Sequence, residues 1–130
     1  MSSFLFDTCF LIDLEREIRT GSGRAHDFLR KEPFACPCLS WTVVGEFAEG
    51  FGDIKHPACA AMLEKFEILP LDEATAHQYA ATSSVLRKKK QLIGVNEHWI
   101  AAAALAHSMP LVTRNSSHFA KIPGLKVIAY

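Results

Sequence analysis

Short apolar runs alternate with longer amphipathic stretches along the whole chain, and that alternation limits the folds open to it. Phe4-Leu5-Phe6, residues 34–39, Phe66-Glu67-Ile68-Leu69, residues 110–113 and residues 126–129 read as strands. Between them, residues 10–17, 24–31, 41–51, 57–65, a long stretch opened by Asp72, and residues 97–107 carry helical periodicity. Strands that alternate with helices predict an α/β domain: a parallel sheet covered by helices on both faces.

The punctuation agrees with this layout. Thr20-Gly21-Ser22-Gly23 has the composition of a loop, Ser40 is placed to cap the helix that Gly50 and Gly52 close, and Pro70 ends its strand. Phe28 and Leu29 should face inward from the second helix. Ala76, Tyr79, Ala80, Val85 and Leu86 stand at helical spacing after Asp72. Asn96 or a near neighbour starts the most hydrophobic helix, and Asn115 a short helical turn. Pro37 has no N–H to give a ladder, so the strand over 34–39 is expected at a sheet edge or in a bulge. With 130 residues, no repeat and no long linker, residues 1–130 are read as one domain.

Composition narrows the partners. The chain has 14 basic and 14 acidic side chains, so it lacks the basic excess with which many proteins grip nucleic acid. Any such binding must come from a local patch, a metal ion or a partner. The longest apolar run, residues 100–106, is too short for a bilayer span, so no membrane association is expected. No secretory signal precedes Cys9, Cys36, Cys38 and Cys59, and free thiols in a reducing cytoplasm are their expected state. Cys36-Pro37-Cys38 has no second Cys/His pair at zinc-finger spacing, so both cysteines are read as small hydrophobes in or near a strand.

Three acids stand where chemistry is plausible. Asp7 directly follows the first strand, and open α/β sheets form their sites just beyond the carboxyl ends of strands. Alone it would be read as a cap for the next helix. Glu46 lies inside a helix, flanked by Gly45, Phe47 and Ala48; Glu97 lies in the first turn of the hydrophobic helix, where its charge also suits the helix dipole. If the three converge, their repulsion raises carboxylate pKa values unless a cation sits among them. Oxygen ligands suit Mg²⁺ or Mn²⁺, and such an ion can polarise a phosphoryl oxygen and acidify water. Spacing alone does not single out this triplet among 14 acids.

Longer motifs do. Phe4-Leu5-Phe6-Asp7-Thr8-Cys9-Phe10-Leu11-Ile12-Asp13-Leu14 resembles the opening motif of the PIN-domain family, and in particular of its VapC-type toxins. Ser40-Trp41-Thr42-Val43-Val44-Gly45-Glu46-Phe47-Ala48-Glu49-Gly50 is similar to the second motif, and Ile93-Gly94-Val95-Asn96-Glu97-His98-Trp99-Ile100-Ala101-Ala102 to the third. Pro110-Leu111-Val112-Thr113-Arg114-Asn115-Ser116-Ser117-His118-Phe119, followed by Ile122-Pro123-Gly124-Leu125, resembles the closing motif. The order and spacing are those of the family, over nearly the whole chain.

The resemblance implies a three-layer PIN-like α/β fold, a central parallel sheet flanked by helices on both faces. It implies a Mg²⁺- or Mn²⁺-dependent endoribonuclease that hydrolyses RNA, often tRNA or rRNA, as the toxin of a toxin–antitoxin pair. Asp7 matches the first metal ligand, Glu46 the second acid and Glu97 the third, where the family usually has Asp. The extra methylene moves that carboxylate outward by about 1.5 Å. Asn115 matches a fourth catalytic position, held by Asp or Asn. Thr8, Asn96 and Thr113 are candidates to orient the carboxylates. Cys9 stands where Asn is common.

Arg114 is the first candidate to hold an RNA phosphate, with Lys89 and Lys90 of the run Arg87-Lys88-Lys89-Lys90 beside it; that run reads equally well as a solvated helix end. His98 and His118 are read as surface or partly packed histidines. A cognate antitoxin and a homodimer are the implied protein partners. Two other classes stay open: a catalytically weak PIN domain that binds RNA or protein without cutting, and a redox or metal-storage protein using Cys36 and Cys38.

Overall fold

The computed structural model describes residues 2–33 and 35–130. Its element order is β1 (Ser3–Phe6), α1 (Thr8–Glu17), α2 (Arg24–Lys31), β2 (Cys36–Ser40), α3 (Trp41–Glu49) and α4 (Pro57–Leu63). There follow β3 (Glu67–Leu69), α5 (Glu73–Lys88), α6 (Val95–Ala106), β4 (Leu111–Val112), α7 (Ser116–Phe119) and β5 (Val127–Ile128). The strands form one parallel sheet in the order β3-β2-β1-β4-β5, and helices flank it. Successive residues of a strand point to opposite faces. Leu5 and Phe6 are both fully buried, as are Leu111 and Val112, so both faces are covered.

The expected elements are all present, with ends shifted by a few residues. Phe28 does turn inward. Its ring meets Phe4, Phe6 and Phe10 edge-on at centroid distances of 5.6, 5.8 and 5.9 Å. Ser40 caps α3 by accepting from Val43 N–H at 3.3 Å, and Asp72 caps α5 by accepting from Thr75 N–H at 3.1 Å.

Two expectations are corrected. β2 is an interior strand, paired with β1 on one side and β3 on the other, although it contains Pro37. Cys36 N–H donates to Ser2 O toward β1, so alternation turns the Pro37 nitrogen to the other side. There β3 begins only opposite Cys38, and no ladder bond is lost. Phe34, the first residue of the expected strand, lies outside the described residues. In α5, the buried residues are Thr75, Thr82 and Leu86, while Ala76 and Ala80 are exposed. A helix buries whichever face its neighbour covers, here α6: Tyr79 stacks on His98 at 4.1 Å and on Trp99 at 4.0 Å.

Candidate active site

Every acid singled out in the sequence lies near the carboxyl edge of the sheet or on a helix that starts there. Asp7 follows β1, Thr113 and Asn115 follow β4, and Glu46 is carried by α3, which leaves β2 at Ser40. Asp7 is buried, and both readings of it hold at once. Its Oδ1 accepts from Thr8 N–H at 2.8 Å, capping α1. Its Oδ2 accepts from the Thr113 hydroxyl at 2.7 Å and from the Cys9 thiol at 3.6 Å.

Thr8 joins the first acid to the second: its hydroxyl donates to Glu46 Oε1 at 2.6 Å. Asn96 Nδ2 donates to Glu46 Oε2 at 3.3 Å. Thr113 Oγ1 also accepts from Asn115 N–H at 3.0 Å, which fixes the start of the closing motif. Thr8 and Asn96 thus both donate to Glu46, and Thr113 donates to Asp7. Burial pushes the Asp7 carboxyl above its ordinary range; bonds from Thr113, Thr8 and Cys9 oppose this, and the Glu46 charge adds to it. A buried acid beside a second negative charge is an environment that a cation relieves.

Glu97 stands apart. Its Oε2 pairs with His118 Nδ1 at 2.9 Å. Among the described residues, Asp7, Glu46 and Glu97 do not bring three donor atoms within 4.8 Å of one another; Cys36, Cys38 and Glu67 do. The oxygen donors around Asp7 and Glu46 nevertheless suit a hard divalent ion, and Glu97 is linked to them through its neighbour Asn96. Asn115 makes no capping bond with its side chain and is exposed, so its amide is not committed to α7. A cleft of about 360 Å³ lined by Ile12, Glu15, Glu46, Phe47, Gly50 and Phe51 opens on the second acid. A smaller one of about 200 Å³, lined by Leu92, Ile93, Gly94, Glu97, His118 and Lys121, opens on the third.

The basic side chains fall differently. Arg114 places Nη1 on both oxygens of Asp13, at 2.7 and 2.8 Å, with its side chain 46% exposed. Asp13 is buried and also accepts from Tyr130 O–H at 2.7 Å. Arg114 thus ties the loop after β4 to α1, and the rest of its guanidinium is what remains for a phosphate. Lys89 and Lys90 sit exposed at the end of α5, where Lys90 takes a positive φ of 55°.

Asp13 and Tyr130 were not singled out by the sequence reading. Asp13 stands three residues after Phe10 and beside Leu14, at an inward-facing helical position, and an acid there signals a buried partner. His98, expected at the surface or partly packed, is buried against Thr82, with Nε2 at 2.6 Å from its hydroxyl.

The PIN domain sequence profile matches residues 4–125. Ribonuclease VapC1 of Rickettsia felis is 35% identical over 132 residues, covering 95% of this chain and 93% of that protein. Ribonuclease VapC4 of Mycobacterium tuberculosis is 32% identical over 97 residues, covering 69% of this chain and 74% of that protein. The crystal structure of VapBC2 from Rickettsia felis, bound to a DNA fragment from its promoter, superposes with a TM-score of 0.79 at 21% identity. That alignment covers 98% of both chains, a likeness of fold.

Proposed function

The chain belongs to the PIN-domain family, and from that premise we propose that it is a divalent-metal-dependent endoribonuclease, the toxin of a toxin–antitoxin pair. The observation that carries this reading is the network from Thr113 through Asp7 and Thr8 to Glu46 and Asn96. It ties the family's first two acids together at the carboxyl edge of the sheet, in a chain at least 32% identical to two ribonucleases.

Asp7, Glu46 and Glu97 would hold the ion, with Asn115 offering a neutral contact. A bound Mg²⁺ or Mn²⁺ supplies Lewis-acid activation of the phosphodiester and of the attacking water. The protein's own part is to keep Asp7 dry and fixed, so that its charge is directed at the ion. Thr8 and Asn96 prevent Glu46 from swinging toward solvent. Arg114, Lys89 and Lys90 would supply the positive charge that zero net charge does not. RNA enters across the clefts beside Glu46 and Glu97. The cleft at Glu46 joins apolar Ile12, Phe47 and Phe51 to two acids, which suits an antitoxin segment with apolar and basic side chains. A homodimer and a cytoplasmic location complete the proposal; among the described residues, no helix is long and apolar enough to cross a membrane.

The test is cleavage of single-stranded RNA by purified protein with Mg²⁺ or Mn²⁺, with EDTA and Asp7→Asn as controls. Activity that survives both controls contradicts the mechanism. A second reading, RNA or protein binding without cleavage, is favoured by one observation: Glu97 is turned onto His118. Retained RNA binding with no cleavage of any RNA type would support it.

A further inference from the structure

We propose that Cys36, Cys38 and Glu67 form a second metal site, one that takes a single ion of the Zn²⁺ class and is separate from the acidic centre. The strand register builds it. Cys36 and Cys38 lie two residues apart on β2 and so share a face of the sheet. Glu67, the first residue of β3, is the in-register partner of Cys38 and lies on that same face.

Two of the three donor spacings match the edges of a tetrahedral ion, and the third lies within 4.8 Å. With bonds of about 2.3 Å to sulfur and 2.0–2.2 Å to oxygen, the sulfur–sulfur edge of such a site is about 3.8 Å and the sulfur–oxygen edge about 3.6 Å. The two Sγ atoms are 3.9 Å apart, and Cys36 Sγ is 3.4 Å from Glu67 Oε2. The three donor atoms all lie within 4.8 Å of one another. Cys38 is buried, Cys36 half-buried and Glu67 exposed, so the fourth position opens toward solvent. Two sulfurs and one carboxylate select a borderline-soft ion over Mg²⁺.

The site sits at the amino ends of β2 and β3, whereas the acids lie at the carboxyl edge. It would cross-link two neighbouring strands, and it holds whether or not the acids cut RNA. Thiol ligands give up their protons to such an ion, so affinity rises with pH.

The experiment uses Co²⁺ as a spectroscopic stand-in, added to the full chain after reduction and removal of metal. The expected result is a thiolate-to-cobalt charge-transfer band that saturates at one equivalent and is abolished by one equivalent of Zn²⁺. The band persists in Asp7→Asn, is lost in Cys36→Ser/Cys38→Ser, and needs about tenfold more Co²⁺ in Glu67→Gln. A second measurement on the unaltered chain covers poor folding of the double variant: one equivalent of Zn²⁺ should protect Cys36 and Cys38 from alkylation, mapped by mass spectrometry. No charge-transfer band in the unaltered protein, a band that survives Cys36→Ser/Cys38→Ser, its loss in Asp7→Asn, or no protection of these two thiols would each overturn the proposal.

Discussion

Asp7 shows how one side chain can serve fold and chemistry together. It caps α1 through Oδ1 and anchors Thr113 through Oδ2, and burial holds its carboxyl above the ordinary range. Asparagine keeps the cap and removes the charge. Asp7→Asn should therefore unfold, in EDTA, at a temperature no lower than the unaltered protein, while losing the stabilisation that Mn²⁺ gives it. Thermal melts with and without Mn²⁺ check both halves. Thr8 acts only through Glu46, so Thr8→Val should weaken metal affinity or cleavage by about 10–100-fold with an intact fold. A metal titration monitored beside circular dichroism separates the two.

The third acid is the position where sequence and structure part most clearly. The motif around Glu97 places it in the first turn of α6, but does not disclose that its carboxylate pairs with His118. No motif in one stretch of chain reports a partner 21 residues away. Asp13 was missed for the same reason: its partners Arg114 and Tyr130 come from the far end of the chain. Glu67, third donor of the thiol site, is likewise brought to Cys36 and Cys38 only by the pairing of β2 with β3.

At the scale of elements, caps and contacts set where the acids stand. Ser40 starts α3, and α3 carries Glu46. Ser40→Ala should cost about 1 kcal/mol, the usual loss for a missing cap. That is a fall of roughly 4 °C in Tm, read by calorimetry, with weaker metal binding alongside. The α5–α6 contact carries a pH dependence. Thr82 donates its hydroxyl proton to Gln78 O at 2.7 Å, leaving its oxygen to accept from His98 Nε2–H.

Burial pushes the His98 imidazole below its ordinary value near 6.5. The unfolded chain therefore binds that proton at higher pH than the native one. This contribution to stability is complete above about pH 6.5 and is lost progressively as pH falls toward the depressed native value. Tm should drop between pH 7.5 and 5, and His98→Phe should flatten that slope. Sequence patterning found both helices and the Asp72 cap, because periodicity and capping are local. It misjudged the buried face of α5, because Thr75 and Thr82 are polar and are buried by virtue of the neighbours that bond them.

For the whole molecule, the alternation of apolar and amphipathic runs already implied a parallel sheet covered by helices, and that sheet is present. The interior position of β2 was not legible, because the sequence does not say where β3 begins relative to Pro37. The sheet order places β1 at the centre, so Asp7 emerges between the strands that precede Glu46 and Asn115.

That placement is why a single change at Asp7 tests the central claim most directly. Single-stranded RNA is incubated with unaltered protein and with Asp7→Asn, in Mn²⁺ and in EDTA, at matched circular dichroism. Cleavage by the unaltered protein in Mn²⁺ alone, with none in the other three reactions, is the expected result. Equal cleavage by Asp7→Asn, or cleavage unaffected by EDTA, would contradict a metal-dependent ribonuclease centred on Asp7.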